Sequence, residues 1–209
     1  GGAGGTGSSM VVSAVSDSSS SAGGSGPVTL ATDDYPYDVA VDADYVYWTT
    51  SEGPNGAAVR RVKKDGTGFQ TLADQQLLAN RLVLTANDVY WTDSGTDAAL
   101  KDGALRRVPK TGGNVDTLAT NLAFPIGFAV DGNDVFVTTR EATPDPNTDY
   151  VYHLTLSPLS PPEDFLHAPD VPAMLIVQGT RLWGTSYGAG LVWHVDLDGT
   201  NFMVERSIT

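Results

Sequence analysis

Three histidines, His153, His167 and His194, are all the imidazoles in this 209-residue chain, and it has no cysteine. Two of them recur in matched strings, VYHL (151–154) and VWHV (192–195). The same string reads VRRV at 59–62 and LRRV at 105–108, so Arg61, Arg107, His153 and His194 occupy one repeated position. Cationic or hydrogen-bonding side chains repeated in this way point to a shared packing role, with metal ligation or acid–base work as the competing reading. No Gly-x-Ser-x-Gly elbow and no His-Glu-x-x-His pair occurs, so no catalytic residue and no metal set is assigned. The loop DSGTDAALKDG (93–103) carries Asp93, Asp97 and Asp102, which looks superficially calcium-like. It lacks the acid order and closing glutamate of an EF-hand. The run GGAGGTG (1–7) is not placed between a strand and a helix, so it is no phosphate cradle, and no cofactor is expected.

These residues must be positioned by short strands, because no 3.6-residue apolar period persists anywhere after residue 27. Four strand-like runs repeat in order. The first is YDVAVD (37–42), NRLVLT (80–85), IGFAVD (126–131) and PAMLIV (172–177). The second is YVYWT (45–49), VYWT (89–92), VFVTT (135–139) and RLWGT (181–185). The third carries the Arg/His position, and the fourth is FQTLA (69–73), VDTLA (115–119), DFLH (164–167) and FMVE (202–205). Trp48, Trp91, Val137 and Trp183 align at spacings of 43, 46 and 46. Four short strands every ~45 residues, joined by turns such as Lys-Asp-Gly (64–66), are the sequence form of a β-propeller blade. Alternation sends Tyr47 and Thr49 to one face and Trp48 to the other, so the aromatics fill the wedges between blades; stacking on a ligand is the alternative. Asp42 and Asp131 close first strands and are expected to accept turn N–H groups.

Composition sets the outer bounds. Net charge is −13, with 25 acidic and 12 basic residues, which disfavours nucleic acid and anionic lipid surfaces. No run of ~18 apolar residues exists, so no membrane span is expected. Seventeen of residues 1–26 are Gly or Ser, and this segment is read as a disordered tether. The expected organisation is a tether (1–26) and then blades at 36–78, 79–124, 125–170 and 171–209. Residues 28–31, VTLA, match the fourth-strand pattern of QTLA and DTLA, and so read as an outer strand belonging to another blade.

The run Tyr-Trp-Thr-Asp (90–93), with Arg-Arg-Val and then a Gly turn downstream, resembles the YWTD propeller repeats of low-density-lipoprotein-receptor-type proteins and of bacterial secreted, receptor-like propellers. Only 90–93 carries the whole motif. The resemblance implies an all-β fold of four-stranded antiparallel blades, four of them here, as part of a six-bladed ring; a compact four-bladed ring is the alternative. It also implies an extracytoplasmic location, secreted or tethered at a bacterial envelope, with Gly/Ser tethers of this kind following a lipid-modified cysteine in surface lipoproteins. An anchor upstream of residue 1 would fit that pattern.

Function is expected on the loops between second and third strands, which vary in length on one rim. They carry Glu52, Asp93, Asp97, Lys101, Arg140, Glu141 and Tyr187 as ligand-contact candidates. The reading is a non-enzymatic binding or scaffold module for a protein or carbohydrate. The competing reading is a propeller hydrolase or lyase of the lactonase or streptogramin-lyase kind, with a metal near the central channel. First-strand positions Asp38, Arg81, Gly127 and Ala173 face that channel and form no metal set.

Overall fold

A computed structural model describes residues 13–14, 27–52, 56–96, 101–140, 150–167, 171–187 and 190–207. Among them there is no helix; every regular element is a strand. Asp97 and Glu141 lie outside the described residues, as does all of 1–26 except Ser13–Ala14.

Four antiparallel sheets follow one another along the chain, each a four-stranded meander. The first holds β3 (Pro36–Val41), β4 (Tyr45–Thr50), β5 (Ala57–Lys63) and β6 (Gln70–Gln76). The second holds β7 (Ala79–Leu84), β8 (Asp88–Asp93), β9 (Gly103–Pro109) and β10 (Asp116–Leu122). The third holds β11 (Phe128–Asp131), β12 (Asp134–Thr138), β13 (Tyr150–Thr155) and β14 (Glu163–His167), and the fourth β15 (Pro172–Gln178), β16 (Arg181–Ser186), β17 (Leu191–Asp196) and β18 (Met203–Ser207). The innermost strands of successive sheets pack in sequence, β3 on β7, β7 on β11 and β11 on β15. The sheets thus radiate from a common inner side as blades.

Period-two alternation puts apolar side chains on both faces of each blade, and the core is the set of wedges between blades. Tyr47, Val59, Leu72 and Ala73 of the first blade meet Leu82, Val89, Trp91 and Val108 of the second. Tyr90, Leu105, Leu118 and Ala119 of the second meet Phe128, Val135, Val137 and Leu154 of the third. Ala129, Phe136 and Val151 of the third meet Leu175, Leu182, Trp193 and Val195 of the fourth.

Threonine hydroxyls tie the wedges at their inner edge. Thr49 Oγ1 donates to the Asn80 carbonyl at 2.6 Å, Thr92 Oγ1 to Ile126 at 3.4 Å and Thr138 Oγ1 to Ala173 at 3.4 Å. Each bond runs from the second strand of one blade to the segment that opens the next. The same hydroxyls accept first-strand N–H groups within a blade, from Asp38 to Thr49 and from Gly127 to Thr138. Those N–H groups lie where β-bulges or irregular openings break the ladder, and a bulge otherwise leaves a donor unpaired. Gly127 is required at such a point: a Cβ there would run into the Ala173 carbonyl oxygen.

Asp42 ends β3 and accepts from the N–H of Asp44 and of Tyr45, closing the turn. It also accepts from Tyr47 Oη at 3.0 Å and pairs with Lys110 Nζ of the second blade at 2.9 Å. Burial would raise this carboxyl, but the ammonium, the turn N–H groups and the phenol outweigh it and hold it far below the usual range. Burial and the bond to Asp42 push the Tyr47 phenol up to about 12.

Two expectations need correction. Ser13–Ala14 (β1) pairs antiparallel with Val28–Thr29 (β2), so these two residues of the segment read as a disordered tether are in a two-stranded sheet. The alignment of Trp183 with Trp48 and Trp91 is off by one. Trp48 pairs with Val39 and Trp91 with Leu82, and the first-strand residue at that place in the fourth blade, Leu175, pairs with Gly184. Trp183 instead stands with Tyr47, Tyr90 and Phe136. The wedge position that Trp91 fills is filled in the fourth blade by Trp193, whose indole lies where a Cβ on Gly184 would be. Trp193 is fully buried and its Nε1 donates to Ser186 Oγ at 3.1 Å, whereas Trp183 is half-buried.

Candidate functional site: one rim of the blades

In an antiparallel meander the second-to-third connection and the link to the next blade emerge at the same end. Among the described residues, 51–52 and 56, 94–96 and 101–102, 139–140, and 187 and 190, together with 30–35, 77–78, 123–127 and 171, therefore lie at one rim, while the opposite rim carries the turns within blades. Those turns hold Asp65 and Asp198, whose carboxyls accept first from the hydroxyl and then from the N–H of Thr67 and Thr200, which lowers both pKa values.

The loop-bearing rim separates the candidates into two kinds. Asp93 is buried, so its assignment as a ligand contact is corrected. Its carboxylate accepts from the N–H of Leu78 at 2.9 Å and of Leu77 at 3.3 Å, and Arg106 Nε lies 3.5 Å away. A carboxylate so engaged holds the chain between β6 and β7 against the end of β8. Glu52, Lys101, Arg140 and Tyr187 do lie on the rim. Glu52 and Arg140 are exposed, Lys101 is exposed with φ of 49°, and Tyr187 is 85% exposed.

A shallow concavity of about 420 Å³ opens at this rim on the first blade. Its lining includes Asp34, Tyr35, Ser51, Glu52 and Leu77. Tyr35 sits at φ of 50° and is 40% exposed, and Leu77 is 51% exposed. The Tyr35 carbonyl holds the neighbouring loop by accepting from Ser51 N–H at 2.9 Å. Tyr35, Asp34 and Leu77 were not legible as rim residues from sequence. Asp34 and Tyr35 lie in the segment that enters the first blade and Leu77 in the one that leaves it, and the repeat pattern treats both as spacers; a tyrosine or leucine placed in such a two- to six-residue segment was the available signal.

The repeated Arg/His position is not on this rim. Arg61, Arg107, His153 and His194 pair across the ladder with Tyr47, Tyr90, Phe136 and Trp183. Each also has a polar partner: Arg61 donates to Gln70, Arg107 pairs with Asp116 at 3.0 Å, His153 with Asp134 at 2.7 Å and His194 with Glu205 at 2.9 Å. Ring contacts add to this, His153 stacking on Phe136 at 4.9 Å and His194 tilting against Trp183 at 4.7 Å. Trp48 Nε1 donates to Asp33 at 2.8 Å, and Asp33 also pairs with Arg60. Among the described residues, no three His, Cys, Asp or Glu side chains stand close enough to hold a metal ion. No described helix is long and apolar enough to cross a membrane.

Known structures share this arrangement. The chain superposes on a structure of the nidogen/laminin complex with a TM-score of 0.67, covering 86% of this chain and 67% of that one at 21% identity. The fold is a β-propeller. A calcium-binding protein, regucalcin, from Agrobacterium tumefaciens matches with a TM-score of 0.62 at 13% identity, over 83% of this chain and 62% of that one. A structure assigned as TolB from the same organism matches with a TM-score of 0.62 at 13% identity, over 87% and 66%. The chain thus spans about two thirds of the length of these propellers. No protein-family model and no curated protein matches the sequence. At these identities the likeness concerns the fold, and a propeller hosts many activities.

Proposed function

We propose that this chain is a YWTD-like propeller module, extracytoplasmic and non-enzymatic, that binds a protein or carbohydrate through the rim bearing Tyr35, Glu52, Leu77, Arg140 and Tyr187. One observation carries the reading. The repeated Arg and His side chains are engaged within blades, whereas this rim leaves two tyrosines and a leucine in solvent beside charged side chains. Exposed aromatic and apolar groups ringed by polar ones are the composition of recognition surfaces. Tyr35 is held by loop backbone, so it loses little freedom on binding. A protein in the nidogen/laminin structure supplies a precedent for a propeller in a protein complex. Extracytoplasmic placement, secreted or tethered by a lipid anchor upstream, is supported by the Gly/Ser-rich segment and the YWTD-like strings.

The test is a glycan array and an affinity capture from extracellular protein extract, run with the wild type and with Tyr35→Ser and Tyr187→Ser. Binding that both variants weaken at least about tenfold supports the rim. Binding unaffected by both variants, or turnover of lactone substrates, overturns the reading.

A further inference from the structure

The concavity on the first blade is furnished in a way that the repeat does not require. Pro36 pairs with Thr50 and Ala79 with Asp93. That register sets Asp34, Tyr35, Ser51 and Glu52 of the first blade against Leu77, Leu78, Ser94 and Gly95 of the second. The rim contact itself is common to both: Ser51 N–H donates to the Tyr35 carbonyl and Ser94 N–H to the Leu78 carbonyl, each at 2.9 Å. Two leucines and a glycine therefore serve the fold at these places in the second blade. The side chains of Asp34, Tyr35 and Glu52 are surplus to that structural need.

Their hydrogen-bonding inventory is one-sided. Asp34 and Glu52 are exposed, and neither carboxylate has a partner among the described residues. The described lining holds no lysine, arginine, histidine, asparagine, glutamine or tryptophan, so its side-chain donors are the hydroxyls of Tyr35 and Ser51. Three of its backbone donors are already used. The Asp34 N–H goes to Asp33 Oδ1 at 2.9 Å, the Ser51 N–H to Tyr35 and the Leu77 N–H to Asp93 Oδ2 at 3.3 Å. What remains is two carboxylates, a tyrosine 40% exposed and the apolar surface of Leu77. A neutral sugar needs donors as well as acceptors and finds few here, and an anion is repelled. A guanidinium only donates. Its planar fork matches carboxylates, its face stacks on aromatic rings, and it trails an aliphatic stem that apolar surface can cover.

We propose that this concavity seats an arginine side chain presented by a basic protein partner. The inference rests on the binding-rim reading above and narrows it from protein or carbohydrate to a cationic protein. Asp34 and Glu52 accept the guanidinium N–H groups, the Tyr35 ring offers its face and Leu77 receives the stem. The net charge of −13 draws such a partner in, over a range that shrinks as salt rises. Tyr35 is already fixed through its carbonyl, so little freedom is lost when the arginine docks.

The probe is acetyl-Gly-Arg-Gly-amide, titrated into the isotope-labelled full chain and followed by backbone amide resonances. Its control is the same peptide with citrulline, which keeps the shape and lacks the charge. The arginine peptide should move the resonances of Tyr35, Ser51, Glu52 and Leu77 with a dissociation constant in the millimolar range, and citrulline should bind about tenfold or more weakly. Asp34→Asn and Glu52→Gln, both at exposed positions, should each weaken the arginine peptide about two- to fivefold. Glu163→Gln removes the same charge from an exposed place on β14 and should leave binding unchanged. Equal binding of the two peptides overturns the proposal. So does the absence of any response at these four residues, or a response that Glu163→Gln weakens as much as Glu52→Gln does. The rim reading is judged apart from this. A glycan lost in Tyr35→Ser, with no response to the arginine peptide, overturns the arginine seat and keeps the rim. Arginine-specific binding at the concavity, with no ligand lost in Tyr35→Ser or Tyr187→Ser, supports the seat and removes the wider rim.

Discussion

The indole swap in the fourth blade gives a sharp test of how the wedges are built. Trp193 is fully buried in the wedge between the third and fourth blades, and its ring occupies the space above Gly184. Truncating it to alanine removes the largest side chain of that wedge, which should cost ~3–5 kcal/mol. Trp183, the residue that string alignment places with Trp48 and Trp91, is half-buried on the other face, and Trp183→Ala should cost about 1–2 kcal/mol. For a domain of this size each kcal/mol shifts Tm by roughly 2–4 °C, so the two variants separate clearly in thermal melts and in urea titration. A double variant makes the test specific. In the third blade the same two places hold Val137 and Tyr152. Gly184→Val alone should destabilise by about 1–3 kcal/mol or more, since its side chain would run into the Trp193 ring. Combined with Trp193→Tyr it rebuilds the third-blade pair, and the two changes should offset each other by at least ~1 kcal/mol. Equal costs for the two tryptophans, or strict additivity in the double variant, would refute the exchange of positions.

Other outcomes follow from single contacts. Asp42 is held below its unfolded pKa, so its contribution is present above about pH 4 and is lost as pH falls through the folded value; Tm of the wild type should drop more steeply between about pH 5 and about pH 2 than that of Asp42→Asn. Asp93→Ala strands three backbone N–H groups and Arg106, and should cost about 3 kcal/mol by urea titration, whereas a true ligand contact would leave stability unchanged. Gly127→Ala forces a Cβ onto the Ala173 carbonyl and should cost ~2 kcal/mol or more, read as a lower urea midpoint with an unchanged slope. Tyr187→Ser should leave Tm within the shift of about 0.5 kcal/mol while changing ligand binding.

The sequence by itself determined the architecture. The recurrence of Tyr-Trp-Thr and Arg-Arg-Val strings, the Leu-Ala ends of fourth strands and the Asp-Gly turns specify short strands every ~45 residues, because such a pattern can bury its apolar faces only by stacking on copies of itself. It also singled out the Arg/His position, since an arginine or histidine recurs there in every third strand, opposite an aromatic. What tertiary structure decided was register and burial. LWGT and VYWT align in two ways as strings, and the hydrogen-bonded ladder chooses between them by setting Leu175 opposite Gly184. The same ladder lets an indole from the neighbouring strand take the vacant wedge. Asp93 and Glu52 both open second-to-third connections in sequence, yet one is drawn under the link between β6 and β7 by unpaired N–H groups there and the other stays in water. Tyr35 and Leu77 line one concavity because the segment that enters the first blade and the segment that leaves it emerge at the same end of the meander, a relation between residues 42 positions apart that no local pattern encodes.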